Sequence, residues 1–112
     1  MKTVVIEIKP SNIKLKVKLA NTFLLRLRGL IGYSSPFPIL ISPCTQIHTW
    51  LMKFPIDIVY LDKNFKCLQL SCNVPAWKIC PAVKDSFYVL ELPSGFISEN
   101  HVDKKSKFYP VF

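Results

Sequence analysis

Residues 13–19 read IKLKVKL, a strict two-residue alternation of aliphatic side chains and lysines. Only an extended strand sends Ile13, Leu15, Val17 and Leu19 to one face and Lys14, Lys16 and Lys18 to the other. Such a strand has one face to bury and needs a neighbour. Residues 3–8 (TVVIEI), β-branched and apolar, supply one across the break at Pro10, Ser11 and Asn12. The chain therefore opens with a β-hairpin. Its lysine row suits either a polyanion or water. No aromatic platform is interleaved with these lysines, as single-strand binding requires, so a solvated face that resists edge pairing is the simpler reading.

Short runs continue, because nine prolines against three glycines cut the chain often. The period changes once. Over residues 20–31 (ANTFLLRLRGLI) the apolar positions Leu24, Leu27, Leu30 and Ile31 recur at three- and four-residue steps, which predicts a short amphipathic helix. Asn21 or Thr22 suits its N-cap and Gly32 its C-terminal stop. Gly29 falls inside the pattern, where a close backbone contact would explain it, and Arg26 and Arg28 lie off the apolar stripe, pointing outward or toward a neighbouring site.

Residues 33–38 are a proline-rich loop and 39–42 a short strand. Residues 47–52 and 56–61 read as two strands joined at Lys53, Phe54 and Pro55, forming a central hairpin. Beyond a turn at 62–65 come strands at 66–74 and 86–92, separated by the loop 75–83, whose Trp77 is a lid or plug. Pro93, Ser94 and Gly95 form a turn, and residues 108–112 form a terminal strand that Pro110 confines to an edge. About seven or eight short strands and one helix predict a mainly β fold, a compact sandwich or barrel, in one domain over residues 1–112.

The central stretch concentrates the versatile side chains. His48, Trp50 and Met52 share one predicted face of 47–52, while Asp57 lies among aliphatic residues on 56–61. Glu91 shares a face with Phe87 and Val89. Buried carboxyl and imidazole groups require partners. They can satisfy one another as structural polar groups. Alternatively, His48, Asp57 and Glu91 converge on a pocket walled by Trp50 and Met52, the usual form of a small-molecule site. A non-catalytic domain would hold a small polar, saccharide-like ligand there. An enzyme, a hydrolase or isomerase, would use Asp57 or Glu91 as general base beside His48. A third reading places an anionic partner on the basic surface of Lys14, Lys16 and Lys18 or on the C-terminal lysines, consistent with a formal net charge of +8.

Familiar machinery is absent. Three glycines build no phosphate-binding loop, and neither GxSxG nor HExxH occurs, so no cofactor is predicted. No specific nucleic-acid motif is present, and the oligomeric state stays open. Cys44, Cys67, Cys72 and Cys80 fit neither a paired CxxC zinc site nor a disulfide scaffold and are expected as free thiols. Cys44 with His48 would be half of a metal site lacking its other ligands, so no metal is predicted. The N-terminal apolar run is too short for a signal peptide and contains Glu7, and no window reaches about 18 apolar residues. A cytoplasmic protein without a membrane span is the expectation.

The segments Arg28-Gly29-Leu30-Ile31-Gly32, Ile47-His48-Thr49-Trp50-Leu51-Met52-Lys53, Pro55-Ile56-Asp57, Leu61-Asp62, Val74-Pro75 and Val89-Leu90-Glu91-Leu92-Pro93-Ser94-Gly95 together resemble domain of unknown function 192. The resemblance covers about residues 20–95 in the expected order. It implies a compact, mainly β, jelly-roll-like domain with a short helix, and it brings no activity. Many relatives look secreted or membrane-anchored, a localisation not carried over here. Where the family has a Gly-Asp step near its end, this chain has Lys104, Lys105, Ser106 and Lys107.

Overall fold

In the computed structural model, which describes residues 1–111, seven strands form a single curled sheet. They are β1 (Lys2–Lys9), β2 (Ile13–Ala20), β3 (Ile39–Ile41), β4 (Ile56–Leu61), β5 (Cys67–Val74), β6 (Tyr88–Pro93) and β7 (Lys107–Val111). Two short helices, α1 (Phe23–Arg28) and α2 (Phe96–Glu99), interrupt them. The order across the sheet is β5-β4-β6-β3-β2-β1-β7, antiparallel throughout except for the β2–β3 pair. The mainly β fold with a short helix is as the sequence predicts; α2 is an addition. Phe112, expected as the last residue of the terminal strand, lies outside the described residues.

The opening hairpin forms as expected, and its register sets Val4 opposite Val17 and Ile6 opposite Leu15. Lys14, Lys16 and Lys18 are exposed. β7, with Pro110, pairs only with β1 and is the sheet edge.

Alternation divides the core into two apolar clusters, one on each side of the sheet. Ile6, Ile8, Val59, Leu61, Leu90, Leu92, Ile97 and Phe108 belong to one. Ala20, Leu30, Ile39, Ile41, Ile56, Ile58, Tyr60 and Val89 belong to the other. β4 contributes to both, and all six of its residues are buried.

Two expected elements take a different form. Residues 47–52 are a loop, not a strand; Ile47 and Met52 pack against the sheet, and the loop's ladder-type pairing is a single isolated bridge from His48 to Ile79 in the loop 75–83. The central hairpin is thus absent, and β4 pairs with β5 and β6 instead. Thr49 explains the change. It is fully buried, its hydroxyl donates to the Pro75 carbonyl at 2.6 Å and accepts from the Lys78 amide at 2.9 Å. Its own amide donates to the Lys78 carbonyl at 2.7 Å, so the hydrogen bonds run loop to loop rather than along a ladder.

The helix also departs from expectation. Thr22 caps α1, its hydroxyl accepting from the Leu25 amide at 3.3 Å. The stop is Gly29, at φ +51°, rather than Gly32, leaving fewer than two turns. Leu30 then enters the core after the helix has ended, while Phe23, Leu24 and Leu27 are 69, 73 and 58% exposed. The predicted apolar stripe is split between core and solvent.

Asp57 is buried on the β4 face shared with Val59 and Leu61, and it is fully partnered. One oxygen accepts from the Asn73 amide at 2.8 Å and the other from the Ile97 amide at 2.9 Å. The pairing shift from Ile56–Val74 to Ile58–Ser71 sets three residue steps of β5 against two of β4, a bulge. The carboxylate takes up the Asn73 amide at that bulge and ties α2 to the sheet. Asp57→Ala is expected to cost roughly 3 kcal/mol in urea unfolding and Asp57→Asn less, because two buried amides lose a charged acceptor. A loss below about 1 kcal/mol for the alanine variant would show that this tie is not structural.

Candidate functional site

On the opposite face of the sheet, a cleft of about 340 Å³ opens between α1, the end of β3 with the loop 43–48, and β6. Its lining includes Arg26, Gly29, Ile41, Cys44, His48, Met52 and Glu91. The local sequence makes room for it. Gly29 lies so close to β6 that a β-carbon there would meet Glu91 Oε1 at 3.3 Å, and its positive φ is one that L side chains rarely adopt.

Glu91 is paired in register with Ile58, placing its side chain among the residues around Val89 and Ile41. It is 1% exposed, and Oε1 has no hydrogen-bond partner. Burial pushes its pKa up from near 4.5 to about 8, so the carboxyl is protonated at neutral pH. Two further buried polar atoms on the same cleft are also unpartnered, Arg26 Nε and His48 Nδ1. Arg26 is held in place by an Nη1 donation to the Pro43 carbonyl at 3.2 Å. It forms no ion pair with Glu91, since among the described residues the only pair within 4.0 Å is Lys9 with Glu7.

The remaining polar groups are quieter. The Cys44 thiol is half-buried, donates to the Gln46 carbonyl at 3.3 Å and is pushed up by burial, so it is not a ready nucleophile. The Tyr60 hydroxyl is likewise pushed up, by burial first and then by its neighbours Cys80, Cys44 and Glu91. All four cysteines are free thiols, and no group of three metal-ligating side chains is placed to hold an ion among the described residues.

Of the five site residues expected from sequence, the structure brings His48, Met52 and Glu91 to one cleft. Trp50 is 46% exposed and reaches the site only indirectly, its ring centroid 5.7 Å from that of His48. Asp57 faces the other side of the sheet. Register accounts for this: Asp57 opposes Leu92 while Ile58 opposes Glu91, so the two carboxyls point to opposite faces. Sequence reasoning left Arg26 undecided and passed over Cys44 as a packed thiol. The signal for Arg26 was its place on the first turns of a helix followed by Gly29, but only the fold shows which strand that helix covers.

Lys14, Lys16 and Lys18 form no part of this cleft. Their strand lies beside β1, where Glu7 is paired with both Lys14 and Tyr109, and Tyr109 is 52% exposed. The aromatic side chain missing from the lysine strand itself is therefore supplied from β7. No helix among the described residues is long and apolar enough to cross a membrane.

Comparison with known proteins agrees with this architecture. A protein of unknown function from Novosphingobium aromaticivorans superposes with a TM-score of 0.82 at 16% identity, over 96% of this chain and 83% of that one. A Sinorhizobium meliloti protein provisionally classed as a transcription regulator gives a TM-score of 0.88 at 17% identity, over 97% and 94%. At such identities the likeness is one of fold. A UPF0127 protein of Thermococcus kodakarensis is 30% identical over 96 residues, 80% of this chain but 60% of that relative's length. The family model DUF192, described as "Uncharacterized ACR, COG1430", matches residues 4–108. The chain belongs to that family.

Proposed function

We propose that the cleft is a non-catalytic binding site for a small polar ligand, contacted by Glu91, Arg26 and His48. The observation that supports this reading is the buried, unpartnered Glu91 carboxyl, with two more unpartnered polar atoms around the same cavity. A domain of this size gains nothing in stability from such a group. Leaving a polar group buried without a partner costs on the order of 1–3 kcal/mol. Asp57 has its oxygens satisfied by backbone amides, so the fold is able to accommodate a buried carboxyl when it serves structure. Glu91 instead presents its carboxyl to a cavity with apolar walls and a few convergent polar atoms, as small-molecule sites do. The ligand would complete the hydrogen bonds that the chain leaves open.

Three measurements test the reading. Glu91→Leu is expected to stabilise the protein by roughly 1–3 kcal/mol in urea unfolding while abolishing binding. A destabilised Glu91→Leu would mean the carboxyl supports the fold and would overturn the argument. Stability should also depend on pH through this group. Below about pH 4.5 it is protonated in both states; between about 4.5 and 8 only the unfolded chain ionises, so stability falls as pH rises. The slope reaches at most about 1.4 kcal/mol per pH unit, levels off above pH 8, and is expected to vanish in Glu91→Gln. Calorimetric titration with sugars, small acids and small amines should find at least one ligand whose binding is lost in Glu91→Leu.

A further inference from the structure

We infer that the ligand is a small monocarboxylate with an apolar body, its carboxylate held between the Arg26 guanidinium and the Glu91 carboxyl and its body lying against Phe23, Leu27, Ile41 and Met52. This rests on the reading that the cleft binds a small polar ligand, and it names the chemical class.

Charge is the first support. Arg26, Arg28 and Glu91 are the cleft's only residues that are ordinarily charged, and Arg28 is engaged elsewhere. Its Nε donates to the Ile31 carbonyl at 3.0 Å, and its guanidinium stacks on Tyr33 at 4.2 Å. Arg26 is thus the cation whose buried donor, Nε, is left without a partner at the cavity. With Glu91 neutral, the cavity is positive and rejects an amine. A neutral sugar would leave the Arg26 charge without a counter-ion.

Hydrogen bonding is the second. Arg26 Nε–H and the protonated Glu91 O–H are both donors, and a carboxylate offers two acceptor oxygens to receive them. A phosphate dianion would bring more charge and more oxygens than these donors satisfy. The third support is the wall itself. Ile41, Ile47 and Met52 line the cavity, and Phe23 and Leu27 stand at 69 and 58% exposure on the helix beside it. Those exposed side chains are the unexplained part of α1, and an apolar body seated in the cleft covers apolar surface of this kind.

The groups facing Glu91 are Arg26 from α1, Cys44 and His48 from the loop 43–48, Tyr60 from β4, and Cys80. Cys44, Tyr60 and Cys80 are all pushed up by burial and stay neutral where Glu91 begins to ionise. Once ionised, Glu91 has no proton to donate and repels the ligand's carboxylate.

Calorimetric titration with butyrate, hexanoate and phenylacetate, each beside its amide, and with butylamine and glucose, tests the class. The carboxylates are expected to bind at least tenfold more tightly than their amides. Their affinity should fall about tenfold per pH unit above pH 8. Arg26→Gln, checked for folding by its thermal transition, should lose tenfold or more in carboxylate affinity. Glu91→Gln should keep binding but lose the alkaline dependence, since its amide still donates. His48→Gln should leave that alkaline dependence in place. Binding of amides, glucose or butylamine without the carboxylates would overturn the carboxylate assignment while leaving a ligand site standing. Failure of every probe would remove both.

Discussion

The pairing of β4 with β6 at the centre of the sheet is the constraint from which the site follows. β4 is buried on both faces and is flanked by β5 and β6, so its register cannot slip without turning a whole row of aliphatic side chains to the wrong side. That register sets Ile58 against Glu91 and Asp57 against Leu92. Two carboxyls only one row apart are thereby sent to opposite sides of a single sheet. Each is almost wholly buried, and each meets a different fate.

Asp57 is absorbed into structure. The bulge in β5 and the start of α2 both present backbone amides, and the carboxylate takes one with each oxygen. Charged hydrogen bonds of this kind offset desolvation. Glu91 meets no donor, and its solution to burial is to hold its proton. The same residue chemistry therefore yields a tie on one face and an open valence on the other. What distinguishes them is the supply of amides, not the carboxyl.

Much of the scaffold was legible because alternation survives burial on one face. IKLKVKL, the apolar run at β4 and the alternating β5 all occupy strands close to their expected positions. The family motifs were legible as well, and they bracket the cleft. The loop 47–52 was misread because six residues of alternation are too few to separate a strand from a segment pinned by one buried threonine. Thr49 bonds to residues 26 to 29 positions away, and nothing within the hexapeptide announces them. The side of the sheet that Asp57 takes was not legible for a related reason. Single-strand phasing says that it faces aliphatic neighbours, but which side of the sheet those neighbours occupy depends on pairing partners distant in sequence. The aromatic Tyr109 joining the lysine side of the hairpin escaped notice in the same way, since it arrives from the opposite end of the chain.

Helix α1 connects these observations. Its apolar positions have the period of a helix that buries a stripe, yet no residue within it is buried. Gly29 is responsible, ending the helix at Arg28 and turning Leu30 into the core. The same glycine lets the backbone pass over Glu91 at a distance that a β-carbon would make tight. One residue thus shortens the helix, exposes its leucines and closes the cover over an unpartnered carboxyl. Exposed apolar surface and a buried polar orphan are each locally unfavourable, and here they line one cavity. Natural sequences are locally consistent where only folding is at stake, and coincident departures from consistency mark the places selected for something else. By that criterion the cleft under α1 is the part of this fold that packing alone leaves unexplained.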